Sequence, residues 1–207
     1  INADKIIYSK FEGIDPLRAC IARKMEDYNG IRCDPERGVV VTVGSTGGFV
    51  AACLAFLDPG EEVILFSPFY GYHRNILSLC GATLKFVTLH PPDWRFDESE
   101  LRHVFSDKTR AIVINTPSNP CGKVFTRAEL ELIAQLCARH DALAITDEIY
   151  EYILYGEHRH VSIGSLPGME ERTVTLSGFS KTYNMTGWRL GYAVGSGNLM
   201  EKIGLLN

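Results

Sequence analysis

The stretch AIVINTPSNPCGKVFTRAELELIAQLCARHDALAITDEIY, residues 111–150, holds one complete strand–helix–strand unit. Ala111 to Ile114 is a short, continuous apolar run, the pattern of a strand buried on both faces. Thr126 with Glu129 three residues on forms a capping box, the mark of a helix start. Leu130, Ile133, Leu136 and Cys137 then recur at helical spacing and predict the buried stripe of that helix. Ala142 to Ile145 is a second short apolar run. Two such runs joined by a helical crossover predict a parallel pair in a sheet covered by helices.

The same alternation extends in both directions. Upstream, Val39 to Val43, Val63 to Phe66 and Leu84 to Leu89 predict strands. Helices are expected after the Gly44 to Gly48 turn, ending at Leu57, after the loop Ser67 to Gly71, ending at Leu79, and briefly around Leu101. Downstream, Thr173 to Leu176 and Leu190 to Val194 predict strands. Near the start, Asp15-Pro16 reads as an N-cap followed by proline at the first helical position. Leu17, Cys20, Ile21, Met25 and Tyr28 form the expected stripe of that helix, and Asn29-Gly30 ends it. The fold class is therefore α/β: three layers, a mainly parallel sheet with helices on both faces.

Composition agrees and excludes several classes. Of 207 residues, 45% are hydrophobic and 22% charged, as in a globular domain. Apolar stretches such as Ala51 to Leu57 are far shorter than the roughly 20 residues a membrane-spanning helix needs. The 21 basic and 25 acidic residues leave a formal net charge of -4 with no basic run. No nucleic-acid partner and no membrane partner is expected. The six cysteines form no C-x-x-C pair, and Cys20, Cys53 and Cys137 fall in apolar helical patterns. Reduced thiols and a cytoplasmic location are expected. No signal peptide pattern is present. The chain starts at Ile1 and breaks off at Ile203 to Asn207 within an apolar periodic segment. A piece of a longer polypeptide, cut at both ends, is expected.

In open α/β sheets, ligands bind beyond the carboxyl ends of the strands. Five strand ends here are followed by chemistry-bearing residues: Gly44-Ser45-Thr46; Pro68-Phe69-Tyr70; Asn115 to Gly122, including Asn119; Thr146 to Tyr150, including Asp147; and Ser177 to Lys181, including Ser180. Each has a plain structural reading taken alone. The glycine-rich turn joins a strand to a helix, Tyr70 packs a loop, Asn119-Pro120 starts a turn, Asp147 caps one, and Lys181 is a solvated lysine. Together they offer an anion cradle, an aromatic plate, an amide, a carboxylate with a phenol, and an amine. Pyridoxal 5'-phosphate requires that set.

Four segments resemble the class I/II pyridoxal-phosphate-dependent aminotransferases of fold type I. They are Tyr8-x4-Gly13-x3-Leu17-Arg18, Asn115 to Gly122, Thr146 to Tyr150, and Ser180 to Tyr192, in which Lys181 precedes Gly187-Trp188-Arg189. The resemblance runs in order through nearly the whole chain. It implies that Lys181 is the Schiff-base lysine that also moves the substrate proton. It implies that Asp147 is the partner of the pyridine nitrogen, and that Tyr150 and Asn119 face the phenolic oxygen. Tyr70 is implied to stack on the ring, and Ser45, Thr46, Ser180 and Arg189 to cradle the phosphate. Tyr8 is implied to reach the phosphate of a partner subunit, and hence a homodimer.

Gly178 departs from the pattern, since many relatives place a phosphate-binding serine there, and Cys121 replaces the commoner threonine. No residue matches the arginine with which the family's C-terminal small domain clamps the substrate carboxylate, so the resemblance implies that 1–207 is the pyridoxal-phosphate-binding (PLP-binding) large domain, truncated at both ends, without the small C-terminal domain. The expected activity is an aminotransferase acting on an amino acid and a 2-oxo acid. A β-lyase or synthase of the same fold, or an aminotransferase-like sensory domain of a transcription regulator, remain alternatives. A nicotinamide-binding enzyme is disfavoured, because no G-x-G-x-x-G follows the first strand.

Overall fold

A computed structural model describes residues 9–207. Tyr8 lies outside the described residues. Seven strands form one sheet: β1 (Val39–Val43), β2 (Glu62–Ser67), β3 (Thr83–Thr88), β4 (Thr109–Asn115), β5 (Leu143–Asp147), β6 (Thr173–Gly178) and β7 (Leu190–Val194). Their spatial order is β1-β7-β6-β5-β4-β2-β3. The five strands from β3 to β6 pair in parallel. β7 runs antiparallel to both of its neighbours, so its first residue lies at the same edge as the ends of the others.

Alternate residues of each strand enter different layers, as the two-residue period of a strand requires. Val63, Leu65, Val113 and Ile145 pack with α2 (Gly44–Phe56), α3 (Gly71–Leu79) and α6 (Gly197–Gly204). Ile64, Phe66, Ile112 and Ile114 pack with α4 (Glu98–Val104) and α5 (Arg127–His140) on the opposite face. The residue after each strand therefore emerges at a rim clamped by helices above and below.

The capping box at α5 forms as the sequence predicts: Thr126 Oγ1 accepts from Glu129 N at 3.3 Å, and Glu129 accepts from Thr126 N at 2.8 Å. The first helix differs from its expectation. α1 (Asp15–Lys24) has Ile14 at its N-cap, and Asp15 is its first residue, paired with Lys10 at 2.9 Å and with Arg18 at 3.7 Å. Its buried face carries Arg18, Ile21 and Ala22, while Cys20 is exposed. Arg18 is buried because its guanidinium donates to the carbonyls of Val39 and Glu36, which satisfies a charge no apolar count would place inside. From Met25 to Asn29 the helix widens into a π turn, which carries Tyr28 out of the apolar stripe and onto the Tyr152 ring, 4.1 Å between centroids.

Candidate active site

The strand ends converge on a cleft of about 240 Å³, open to solvent on one side. Its wall includes Ser45, Thr46, Tyr70, Asn119, Asp147, Tyr150, Ser180, Lys181 and Arg189, with Tyr72, Asn115, Ile149 and Thr186 besides. Every site residue predicted from the sequence and lying among the described residues is therefore in one place.

One end of the cleft is built for an anion. α2 begins directly at Gly44, and its N-cap Val43 offers no side chain to its first-turn amides. Those N–H groups, with the positive end of the helix dipole, face the opening. Arg189 lies over them: a Cβ on Gly44 would stand 2.8 Å from Arg189 Nη2. Gly44 has φ +67°, so a larger residue would meet both backbone strain and the guanidinium. Arg189 itself adopts φ +52°, a costly conformation for a residue with a side chain, and Nη1 is tied to the Thr186 carbonyl at 2.9 Å. Gly178, the departure noted above, has no room for a serine: a Cβ there would lie 2.9 Å from Gly191 Cα and 3.0 Å from the Leu190 carbonyl.

The other end carries Asp147, which is buried. Oδ1 accepts from Ile149 N at 3.2 Å, and Oδ2 accepts from His73 Nε2 at 3.1 Å. His73 is buried too, packed against Phe49 and edge-on to Tyr70. The sequence reading missed His73. Its only signal was position, one helical turn beyond Tyr70 on α3. Asn115, at the end of β4, donates from Nδ2 to the Asp147 carbonyl at 2.9 Å and accepts from Asn119 N at 2.7 Å. It thereby fixes the Asn119 loop against β5. Tyr72 donates from its hydroxyl to the Thr46 carbonyl at 2.7 Å, and burial pushes its phenol well above the ordinary range, so it stays protonated. Lys181 lines the same cleft, its Nζ 5.5 Å from the centre of the Tyr150 ring.

The profile of the family described as aminotransferase class I and II matches residues 4–206. The chain belongs to that family. Kynurenine–oxoglutarate transaminase 1 of Homo sapiens is 41% identical over 207 aligned positions, covering 95% of this chain and 49% of the relative. Aspartate aminotransferase of Pyrococcus abyssi is 40% identical over 192 positions, 92% of this chain and 49% of the relative. The solved N-succinyldiaminopimelate aminotransferase of Mycobacterium tuberculosis superposes with a TM-score of 0.93 at 37% identity, over 97% of this chain and 53% of its own. The chain spans about half the length of the curated relatives it matches. The likeness in fold fixes the layer architecture as that of these aminotransferases. No helix among the described residues is long and apolar enough to cross a membrane.

Proposed function

We propose that this chain binds pyridoxal 5'-phosphate and serves the transfer of an amino group from an amino acid to a 2-oxo acid. The observation that carries the proposal is one cleft lined by an amine, Lys181, a buried carboxylate, Asp147, and a phosphate-type cradle, Ser45, Thr46 and Arg189. The donor set fits the cofactor at both ends. Unpaired first-turn amides and a guanidinium suit a phosphate dianion. A buried carboxylate fixed by two hydrogen bonds suits a protonated ring nitrogen opposite it.

When bound, the cofactor supplies an electron sink for the electrons released at the substrate α-carbon. The chain does the rest. Ser45, Thr46, Ser180 and Arg189 would hold the phosphate, and Tyr70 would lie against the ring. Asn119 and Tyr150 would serve the phenolic oxygen. Asp147 would pair with the ring nitrogen, itself oriented by His73 and Ile149 N. Lys181 Nζ would hold the cofactor and, once free, take up the substrate's α-proton. The family resemblance supports a homodimer in which Tyr8 of one subunit reaches the other's phosphate. The six free cysteines support a reducing, cytoplasmic setting.

Borohydride reduction of the cofactor-loaded protein followed by peptide mapping is expected to leave the pyridoxyl group on Lys181. A label on any other lysine would sink the assignment. The reaction type is read from a panel of donors with 2-oxo acid acceptors. Kynurenine, aspartate, methionine and aromatic amino acids belong in it, since relatives carry those names. A lyase would release products without consuming the acceptor.

A further inference from the structure

Behind the cleft, on the far side of β5, lies a second set of charges that the proposed reaction does not use. Glu148 and Glu151 are almost wholly buried. They follow Asp147 and Tyr150 by one residue each, so the two cofactor-facing groups and the two buried carboxylates interleave along one turn. Glu148 accepts from Ser162 Oγ at 2.5 Å, His160 Nε2 at 2.7 Å, Thr146 Oγ1 at 3.1 Å and Asn29 Nδ2 at 3.2 Å. Glu151 accepts from Lys24 Nζ at 2.5 Å and from Asn29 Nδ2 and Ser177 Oγ at 2.7 Å each. Its carbonyl accepts from the Tyr28 hydroxyl at 2.8 Å.

Glu148, Glu151 and His160 offer ligand atoms within 4.8 Å of one another, a spacing a cation could use. The Lys24 ammonium and the Asn29 amide already stand against these carboxylates, so the countercharge is built into the protein. Isolated buried charges are expensive, and breaking one partner from such a set strands the other. Four charges here sum to zero only when His160 is protonated. Glu148 and Glu151 draw its pKa above the ordinary value against the opposing effects of burial, the largest, and of Lys24. Among the described residues, the remaining titratable group against its ring is Tyr28, stacked at 6.2 Å.

We propose that Lys24, Glu148, Glu151 and His160 form a charge-balanced clamp that positions Asp147 and Tyr150 for the cofactor. The clamp ties the turn after β5 to α1 and its π turn on one side and to the 160–162 segment on the other. It rests on the reading of Asp147 and Tyr150 as cofactor partners, and its members are positioning residues that touch neither cofactor nor substrate.

The test uses the intact, cofactor-loaded protein. His160→Gln keeps a donor for Glu148 and removes one positive charge. It is expected to melt cooperatively and to lower kcat roughly tenfold with little change in KM, as misplacement of reacting groups does. It is also expected to move the pH midpoint of the bound cofactor's absorbance upward, because the clamp is left negative. Glu148→Gln takes away the carboxylate that holds the His160 proton against burial, so that proton leaves, the clamp is neutral again and the midpoint should stay near wild type. The double variant, likewise neutral, should return the midpoint displaced by His160→Gln to the wild-type position. If His160→Gln fails to fold, Lys24→Gln, which also leaves the clamp negative, takes its place and should move the midpoint upward. Wild-type midpoint and kcat in the folded variant that leaves the clamp negative, or no restoration in the double variant, overturns the clamp. Borohydride labelling of Lys181 in the wild-type protein separates the two claims: with the label on Lys181 and unmoved midpoints, the clamp fails and the cofactor assignment stands.

Discussion

At the scale of single residues, the site depends on side chains whose chemistry is set by what backs them. Asp147 accepts from His73 Nε2 and Ile149 N, and its burial removes competing water. Asp147→Asn is nearly isosteric, and it leaves the Arg189 guanidinium and the α2 amides untouched. An amide cannot keep a ring nitrogen protonated. We therefore expect cofactor affinity within a few-fold of wild type and kcat lower by about a hundredfold or more, in line with loss of one preorganised electrostatic group. Equilibrium titration of the cofactor alongside steady-state kinetics checks both halves. Near-normal turnover in a cofactor-loaded variant would remove Asp147 from its role. The cleft positions of Asp147 and Lys181 were legible in the sequence because each lies at or just past a strand end, and that of Arg189 because it closes the recognisable run just before β7. His73 was not, because a histidine inside an amphipathic helix carries no local mark of the carboxylate it meets 74 positions away.

At the scale of elements, local chemistry decided which boundaries could be read. The start of α5 was legible because Thr126 and Glu129 satisfy each other's backbone within one turn. Glu129 also pairs with the buried Lys123 at 2.5 Å, which joins the helix start to the loop before it. Thr126→Ala removes the cap acceptor and is expected to cost about 1 kcal/mol. In a protein of this size that lowers Tm by roughly 2–4 °C. A calorimetric scan would show it, and an unchanged Tm would mean that solvent replaces the cap at no loss. The start of α1 was misread for the converse reason. Asp15 forms ion pairs with Lys10 and Arg18 instead of capping, and the buried face is organised around Arg18, which binds backbone carbonyls. The direction of β7 was equally hidden. An apolar run such as Leu190 to Val194 fixes burial and says nothing of which way the strand lies beside its neighbours.

At the scale of the whole molecule, the sheet brings six segments to one rim, and the buried clamp joins that rim to α1, the 160–162 segment and β6. The partners are far apart in sequence: Lys24 and Glu151 are separated by 127 positions and Asn29 and Ser162 by 133. No window of sequence contains both ends of such a pair, which is why the network was invisible to periodicity and motif alike. Its dependence on pH follows from His160. In the fold its pKa stands above the ordinary value of 6.5. A base raised on folding contributes stability that is full below the unfolded value and is lost as pH rises through the folded one. The advantage in Tm of the wild-type protein over His160→Gln is therefore expected to be largest near pH 6 and to shrink on the alkaline side. A Tm difference that stays constant from pH 6 to pH 9 would mean that His160 contributes packing and a neutral hydrogen bond, with no ionic share.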